Sequence, residues 1–129
     1  MLNKIIIMGR LTKAPELRYT QNQTPVASFT IACDRDYNGE EKQTDFINCV
    51  AWKNTANFVH QHFDKGSMAI VAGRLQTRKW EDREGKKHTE YEVIAETIYF
   101  GESKKKDETN EENKRTFEEL PATDGELPF

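Results

Sequence analysis

The chain is 129 residues long, room for one domain with a real core plus an appendage and too little for two well-buried domains. Charged residues make up 32% of it, and the formal net charge of −3 gives, taken over the whole chain, no footprint for a polyanion. The apolar run Ile5-Ile6-Ile7-Met8 is far short of a membrane span and nothing resembles a secretory leader, so a soluble, cytoplasmic protein without membrane contact is expected.

The first predicted strand covers residues 2 to 12 and the second residues 25 to 34. A turn follows at Asn38-Gly39, with Tyr37 beside it. Tyr37 has two readings, a stacking ring or a turn residue packing on its own strand. The third strand covers 43 to 53, and its alternation divides it into unlike faces. Ile47, Cys49 and Ala51 are compact and apolar and suit a barrel interior. Thr44, Phe46, Asn48, Val50 and Trp52 share the other face. That face is either a platform for unpaired bases or one side of a strand covered on both sides.

One helix is expected next. Asn54-Thr55 can cap it, Ala56, Val59 and Phe63 share a face with Phe58 beside them, and Lys65-Gly66 suits its end. Strands four and five cover 67 to 80 and 87 to 100, joined through a turn at Glu84-Gly85. In the fourth, Arg74, Gln76, Arg78 and Trp80 share one parity. Two guanidiniums and an indole make a poor core and a good single-strand track, because Arg pairs with phosphate or stacks and Trp offers any base an aromatic face. The two strands form a long basic hairpin projecting from the barrel. Five strands with one helix between the third and fourth give an all-β fold with one short helix, in the chain order of an OB-fold, a partly open five-stranded Greek-key barrel.

Beyond Gly101 the composition changes. Residues 1 to 100 hold 14 Lys and Arg against 13 Asp and Glu, whereas residues 101 to 129 hold 5 against 9. The acidity belongs to the tail, and residues 102 to 115 contain no apolar side chain at all. Such a stretch cannot bury enough surface to offset its ordering entropy. The sequence therefore divides into a domain at 1 to 101, a disordered linker at 102 to 123 and a tip at 124 to 129.

Other chemistry finds little footing. Cys33 and Cys49 sit in apolar strand-like runs without metal-knuckle or redox spacing and read as reduced core residues. His60 and His62 lie two apart, on different helix faces, which is the wrong spacing for a helical zinc pair. Asp34, Asp36 and Asp45 read as turn and strand-end residues. There is no phosphate-cradling Gly-rich loop and no nucleophile elbow, so no catalytic residue, metal or cofactor is expected and the protein is read as a binder, not an enzyme.

With these residues in place, the sequence resembles the bacterial and phage single-stranded DNA-binding protein family throughout the domain. The likeness is carried by the opening Met1 to Tyr19, by Asp45-Phe46-Ile47-Asn48-Cys49-Val50-Ala51-Trp52, by Lys65-Gly66-Ser67 and by Gly73-Arg74-Leu75-Gln76-Thr77-Arg78-Lys79-Trp80. It implies an OB-fold associating as a homotetramer with single-stranded DNA wrapped around it. Stacking aromatics then fall on Tyr37, Phe46, Trp52 and Trp80, the first two standing where some members carry Trp. Basic residues near the strand fall on Arg10, Arg18, Lys53, Arg74, Arg78 and Lys79. The end, Asp124-Gly125-Glu126-Leu127-Pro128-Phe129, resembles the family's acidic and hydrophobic tip, which docks on replication, recombination and repair proteins. Asp124, Glu126, Leu127, Pro128 and Phe129 are the partner-binding residues so implied. The tip has fewer acids than the family's fullest versions. At Phe129 a ring and a free carboxylate on one residue suit a small apolar pocket with a basic rim.

Overall fold

The computed structural model describes residues 1–36, 39 and 41–103. In β1 (Ile5–Leu11), Ile5, Ile7, Gly9 and Leu11 turn toward the core, while Ile6, Met8 and Arg10 turn out. It is followed by β2 (Glu16–Tyr19), β3 (Pro25–Asp34), β4 (Thr44–Trp52), α1 (Lys53–His62), β5 (Met68–Glu81) and β6 (Lys87–Phe100). β3 and β6 have the predicted bounds, and β1 is shorter at both ends than predicted.

The sheet order is β1-β5-β6-β4-β3-β2, and a further β1–β3 pairing closes the ring. Every pairing is antiparallel except β4 with β6. This is the expected OB-fold barrel with one correction, six strands in place of five. The extra one is β2, which pairs Glu16–Tyr19 with Pro25–Ser28 on the same edge of β3 where Arg10 and Leu11 meet Ala32 and Ile31. What reads as one strand and a loop is thus a single barrel edge interrupted around Pro15, which has no N–H for the ladder. Closure demands close backbone approach at two glycines. A Cβ at Gly9 would run into the Ala32 carbonyl at the β1–β3 seam, and one at Gly73 into the Ile94 carbonyl, where β5 and β6 shift register.

The core holds Leu11, Phe29, Ile31, Cys49, Val59, Phe63, Val71 and Val93 with small residues between them, and no polar or charged residue among those described is buried. Burial, and then the neighbouring Cys33, push the Cys49 thiol up to about 12. Burial and then the Asp45 charge raise that of the half-buried Cys33. Both cysteines are free.

α1 lies against β3, β4 and β6 and buries Ala56 and Val59. Its start corrects the expected Asn54-Thr55 cap: the helix begins at Lys53, and Trp52 at the N-cap makes no side-chain capping bond. The turn is made by Lys53 itself, in the left-handed region at φ 58. The helix is therefore held by packing more than by capping. It ends at His62. Phe63 is extended, its N–H donates to the Val59 carbonyl at 3.0 Å, and its ring stacks on Phe100 at 4.8 Å. Gly66, at φ 87, then turns the chain into β5. Among the described residues no helix is long and apolar enough to cross a membrane.

Candidate nucleic-acid interface

On β4, Cys49 and Ala51 enter the core and Ile47 packs against it. The other parity faces out, with Phe46 67% and Trp52 45% exposed. Within the chain, then, this strand is not covered on both sides. Cross-strand partners share a face, so the register says what stands beside each ring. Phe46 pairs with Ala32, whose partner on β1 is Arg10. Trp52 pairs with Val26, whose partner on β2 is Arg18. Val50, between the two rings, pairs across the parallel seam with Ile94, whose partner on β5 is Arg74. Each exposed ring of β4 thus lies in a row that ends on a guanidinium.

Beyond the seam, β5 turns Arg74, Gln76, Arg78 and Trp80 to the same outer face, opposite Ile94, Glu92, Glu90 and His88 of β6. Trp80 is 42% exposed and stacks on His88 with ring centroids 4.5 Å apart and planes 20° apart. Lys79 pairs with Thr89 and has the opposite parity, so it faces away from Trp80 on the other side of the hairpin. Lys53 is exposed at the β4–α1 junction beside Trp52.

Three of these six cations, Arg10, Arg18 and Arg78, hold a carboxylate. Arg10 donates to both oxygens of Glu102, at 2.6 and 3.2 Å, and to the Gly66 carbonyl at 2.9 Å. Arg18 donates to Glu16 at 3.0 Å through Nε, and Arg78 to Glu90 at 2.7 Å. Arg74 donates to the Gln76 side-chain oxygen at 2.9 Å. The pairs hold the Arg10 guanidinium charged more firmly and keep the Glu16 carboxyl below its ordinary range, in each case through the side-chain hydrogen bond first. All of them are solvent-exposed. Exposed ion pairs contribute little net stability, so a phosphate can take the place of the carboxylate at small cost.

Between the barrel face and the hairpin root lies an open groove of about 220 Å³, lined among others by Lys13, Ser28, Thr30, Asn48, Arg78 and Glu90. The Thr30 hydroxyl donates to the Asn48 side-chain oxygen at 3.1 Å, which leaves the Asn48 amide N–H groups as the donors on offer. The arrangement offers flat rings, exchangeable cations and a few hydrogen-bonding groups.

The structure therefore brings Arg10, Phe46, Arg18, Trp52, Arg74, Arg78 and Trp80 to one outer surface and leaves Lys79 on the reverse of the hairpin. Tyr37 and the tip residues Asp124, Glu126, Leu127, Pro128 and Phe129 lie outside the described residues. Sequence reasoning missed His88, Glu90 and Glu92. Their shared parity was visible, and counting back from the turn at Glu84-Gly85 would have set them opposite Trp80, Arg78 and Gln76.

Residues 2–101 match the single-strand binding protein family. The single-stranded DNA-binding protein A of Bacillus subtilis is 48% identical over 106 residues, covering 81% of this chain and 62% of that protein. The single-stranded DNA-binding protein 2 of Listeria monocytogenes is 47% identical over 106 residues, covering 81% of this chain and 66% of that protein. The chain thus aligns with somewhat under two thirds of the length of these curated relatives. Among solved structures, the Plasmodium falciparum SSB complex with ssDNA superposes with a TM-score of 0.72 at 26% identity, covering 79% of this chain and 96% of that one.

Proposed function

This chain belongs to the single-strand binding protein family, and on that premise we propose that it binds single-stranded DNA without sequence specificity and protects it during replication, recombination and repair. The observation that carries the reading is the pair of rows Arg10–Ala32–Phe46 and Arg18–Val26–Trp52, continued by Arg74, Arg78 and Trp80 on the hairpin. A ring exposed beside a guanidinium matches the repeat of a single strand, a base face beside a phosphate. A duplex cannot use it, because its base faces are already stacked.

With so little net charge on residues 1 to 100, phosphate attraction alone is weak. Stacking supplies the salt-resistant part of the affinity. Phosphates supply a salt-sensitive part by displacing Glu102, Glu16 and Glu90 from their arginines. Binding makes and breaks no covalent bond.

The protein works as a homotetramer in this reading. Support comes from the outer face of β1, β5 and β6, where Met8, Ile70 and Tyr99 form one cross-strand row and Ile6 and Ala72 stand in the next. Ile6 is 73% exposed in the single chain, and a contiguous apolar face of this kind suits a second copy. Asp124, Glu126, Leu127, Pro128 and Phe129 recruit the DNA-processing enzymes, with the linker of residues 102 to 123 as tether. A mobility-shift comparison of oligothymidine, oligouridine and a blunt hairpin duplex tests the reading. Retention of oligothymidine well above the duplex is expected. Equal retention of duplex would overturn it, and a preference for oligouridine would move the substrate to RNA.

A further inference from the structure

We propose that Asp82 and His88 are positioning residues that hold Trp80 as a one-sided stacking platform at the tip of the β5–β6 hairpin, with one indole face committed to His88 and the other left for a single base. The inference rests on the strand-binding reading and adds to it.

A projecting two-stranded hairpin is a poor place for a stacking ring, because beyond the barrel there is nothing to hold an indole still. An unfixed side chain gives back part of its stacking energy as ordering entropy when a base arrives. Here a chain of contacts removes that freedom. The turn is tied by the Asp82 N–H donating to the Lys86 carbonyl at 2.9 Å and by the Gly85 N–H donating to the Asp82 carbonyl at 3.0 Å. Gly85 takes φ 80, a conformation that suits glycine. The Asp82 side chain belongs to the same turn, its Oδ1 accepting the N–H groups of Glu84 at 2.9 Å and Lys86 at 2.8 Å.

The second carboxylate oxygen, Oδ2, lies 2.8 Å from the His88 ring Nε2. His88 sits directly across the ladder from Trp80, and the two rings are nearly parallel. Backbone turn, carboxylate, imidazole and indole are therefore linked in series. Since His88 covers one side of the indole, the strand cannot sandwich the ring. It can place one base on the open side. The next cross-strand pair inward on this face is Arg78 with Glu90, which puts a guanidinium for phosphate beside that base.

The test uses the full chain in a Trp52→Phe background, which keeps a ring at position 52 and leaves Trp80 as the one indole. Oligothymidine affinity, affinity for the same strand with abasic sites, and acrylamide quenching of Trp80 are measured for this parent and for His88→Ala, His88→Phe and Asp82→Asn. In His88→Ala, acrylamide quenching should rise because the second indole face opens. Oligothymidine affinity should fall about two- to tenfold, the cost of immobilising one side chain on binding. Affinity for the abasic strand should not change. His88→Phe should restore most of the loss by supplying a flat ring, and Asp82→Asn should fall between. If His88→Ala lowers the melting temperature, His88→Leu fills the position without a flat ring and replaces it.

Oligothymidine affinity in His88→Ala equal to the parent's would overturn the inference alone, as would a loss equally large on the abasic strand or a failure of His88→Phe to restore binding. Absence of oligothymidine binding by the parent and the unsubstituted chain would overturn the strand-binding reading and this inference with it.

Discussion

At the scale of single residues, three exposed rings of the proposed interface separate stacking from folding. Phe46, Trp52 and Trp80 are all well exposed, so each can be truncated without opening a core cavity. Trp52→Ala and Trp80→Ala should each weaken oligothymidine binding by about 1–3 kcal/mol with an unchanged melting temperature; fluorescence anisotropy and thermal melts check both halves. The carboxylates beside the arginines predict gains as well as losses. Arg78 is held by Glu90 on the outer face proposed to bind the strand, so Glu90→Gln should free it and tighten binding at low salt by about 0.3–1 kcal/mol, the worth of an exposed pair. Arg78→Ala should do more harm than Arg74→Ala, because it removes a cation and also leaves Glu90 facing phosphate. Titration of the two variants against wild type gives the order. A pH effect belongs to Cys49, whose thiol is raised by burial from 9.0 to about 12. A raised value in the folded state means that its stabilising contribution is complete below about pH 9 and is lost as pH climbs toward 12. Alkylation of the native protein at pH 8 should accordingly spare Cys49 and reach it only on unfolding. The two faces of the Phe46–Trp52 run were legible from alternation alone. That Arg10 and Arg18 stand in rows with those rings was not, because register across three strands is a tertiary fact and the sequence offers only a family likeness for it.

At the scale of elements, the barrel's closure and its hairpin do different work. Gly9 and Gly73 sit where a Cβ would collide with carbonyl groups of the neighbouring strand. Gly9→Ala or Gly73→Ala should cost roughly 1–3 kcal/mol by overpacking, read as a lower urea midpoint with an unchanged slope. Both glycines lie in strand-like runs whose pattern gives no hint of a seam, since closeness of two backbones is invisible along one chain. The same reason hid β2. Its four residues, Glu16 to Tyr19, alternate polar and apolar but are too few to stand out and follow a proline, and they pair as a strand along the edge that β3 offers them. The helix shows the opposite case, with its apolar face read correctly and its cap misread. Asn54 and Thr55 have suitable side chains, but the left-handed turn at Lys53 starts the helix before either can serve as the N-cap. The β5–β6 hairpin is legible in outline from its parity and its turn, whereas the pairing of Glu90 and Glu92 with Arg78 and Gln76 depends on a register that only the folded ladder fixes.

At the scale of the whole molecule, charge and composition decide how the parts share the work. The body is close to neutral and the acidity lies beyond residue 100, so under the proposed function an acidic tail would compete with phosphate for the same arginines. Removal of residues 124 to 129 should leave the melting temperature unchanged and strand affinity equal or slightly higher, while capture of DNA-processing enzymes is lost. Phe129→Ala should reproduce most of that loss, and pull-downs with the three proteins decide it. Composition alone sets the boundary expected near residue 101, and the linker and tip beyond residue 103 lie outside the described residues. The apolar outer face of Ile6, Met8, Ile70 and Tyr99 was not legible in the sequence, because an exposed strand face and a buried one have the same alternating pattern. The most direct measurement is the emission of Trp52 and Trp80 during titration with oligothymidine, at low salt and again at high salt. Stacking on rings beside exchangeable arginines predicts deep, saturable quenching, an affinity that falls as salt rises, and appreciable quenching that survives at high salt. Quenching that is absent, or that a duplex reproduces at the same concentration, would contradict it.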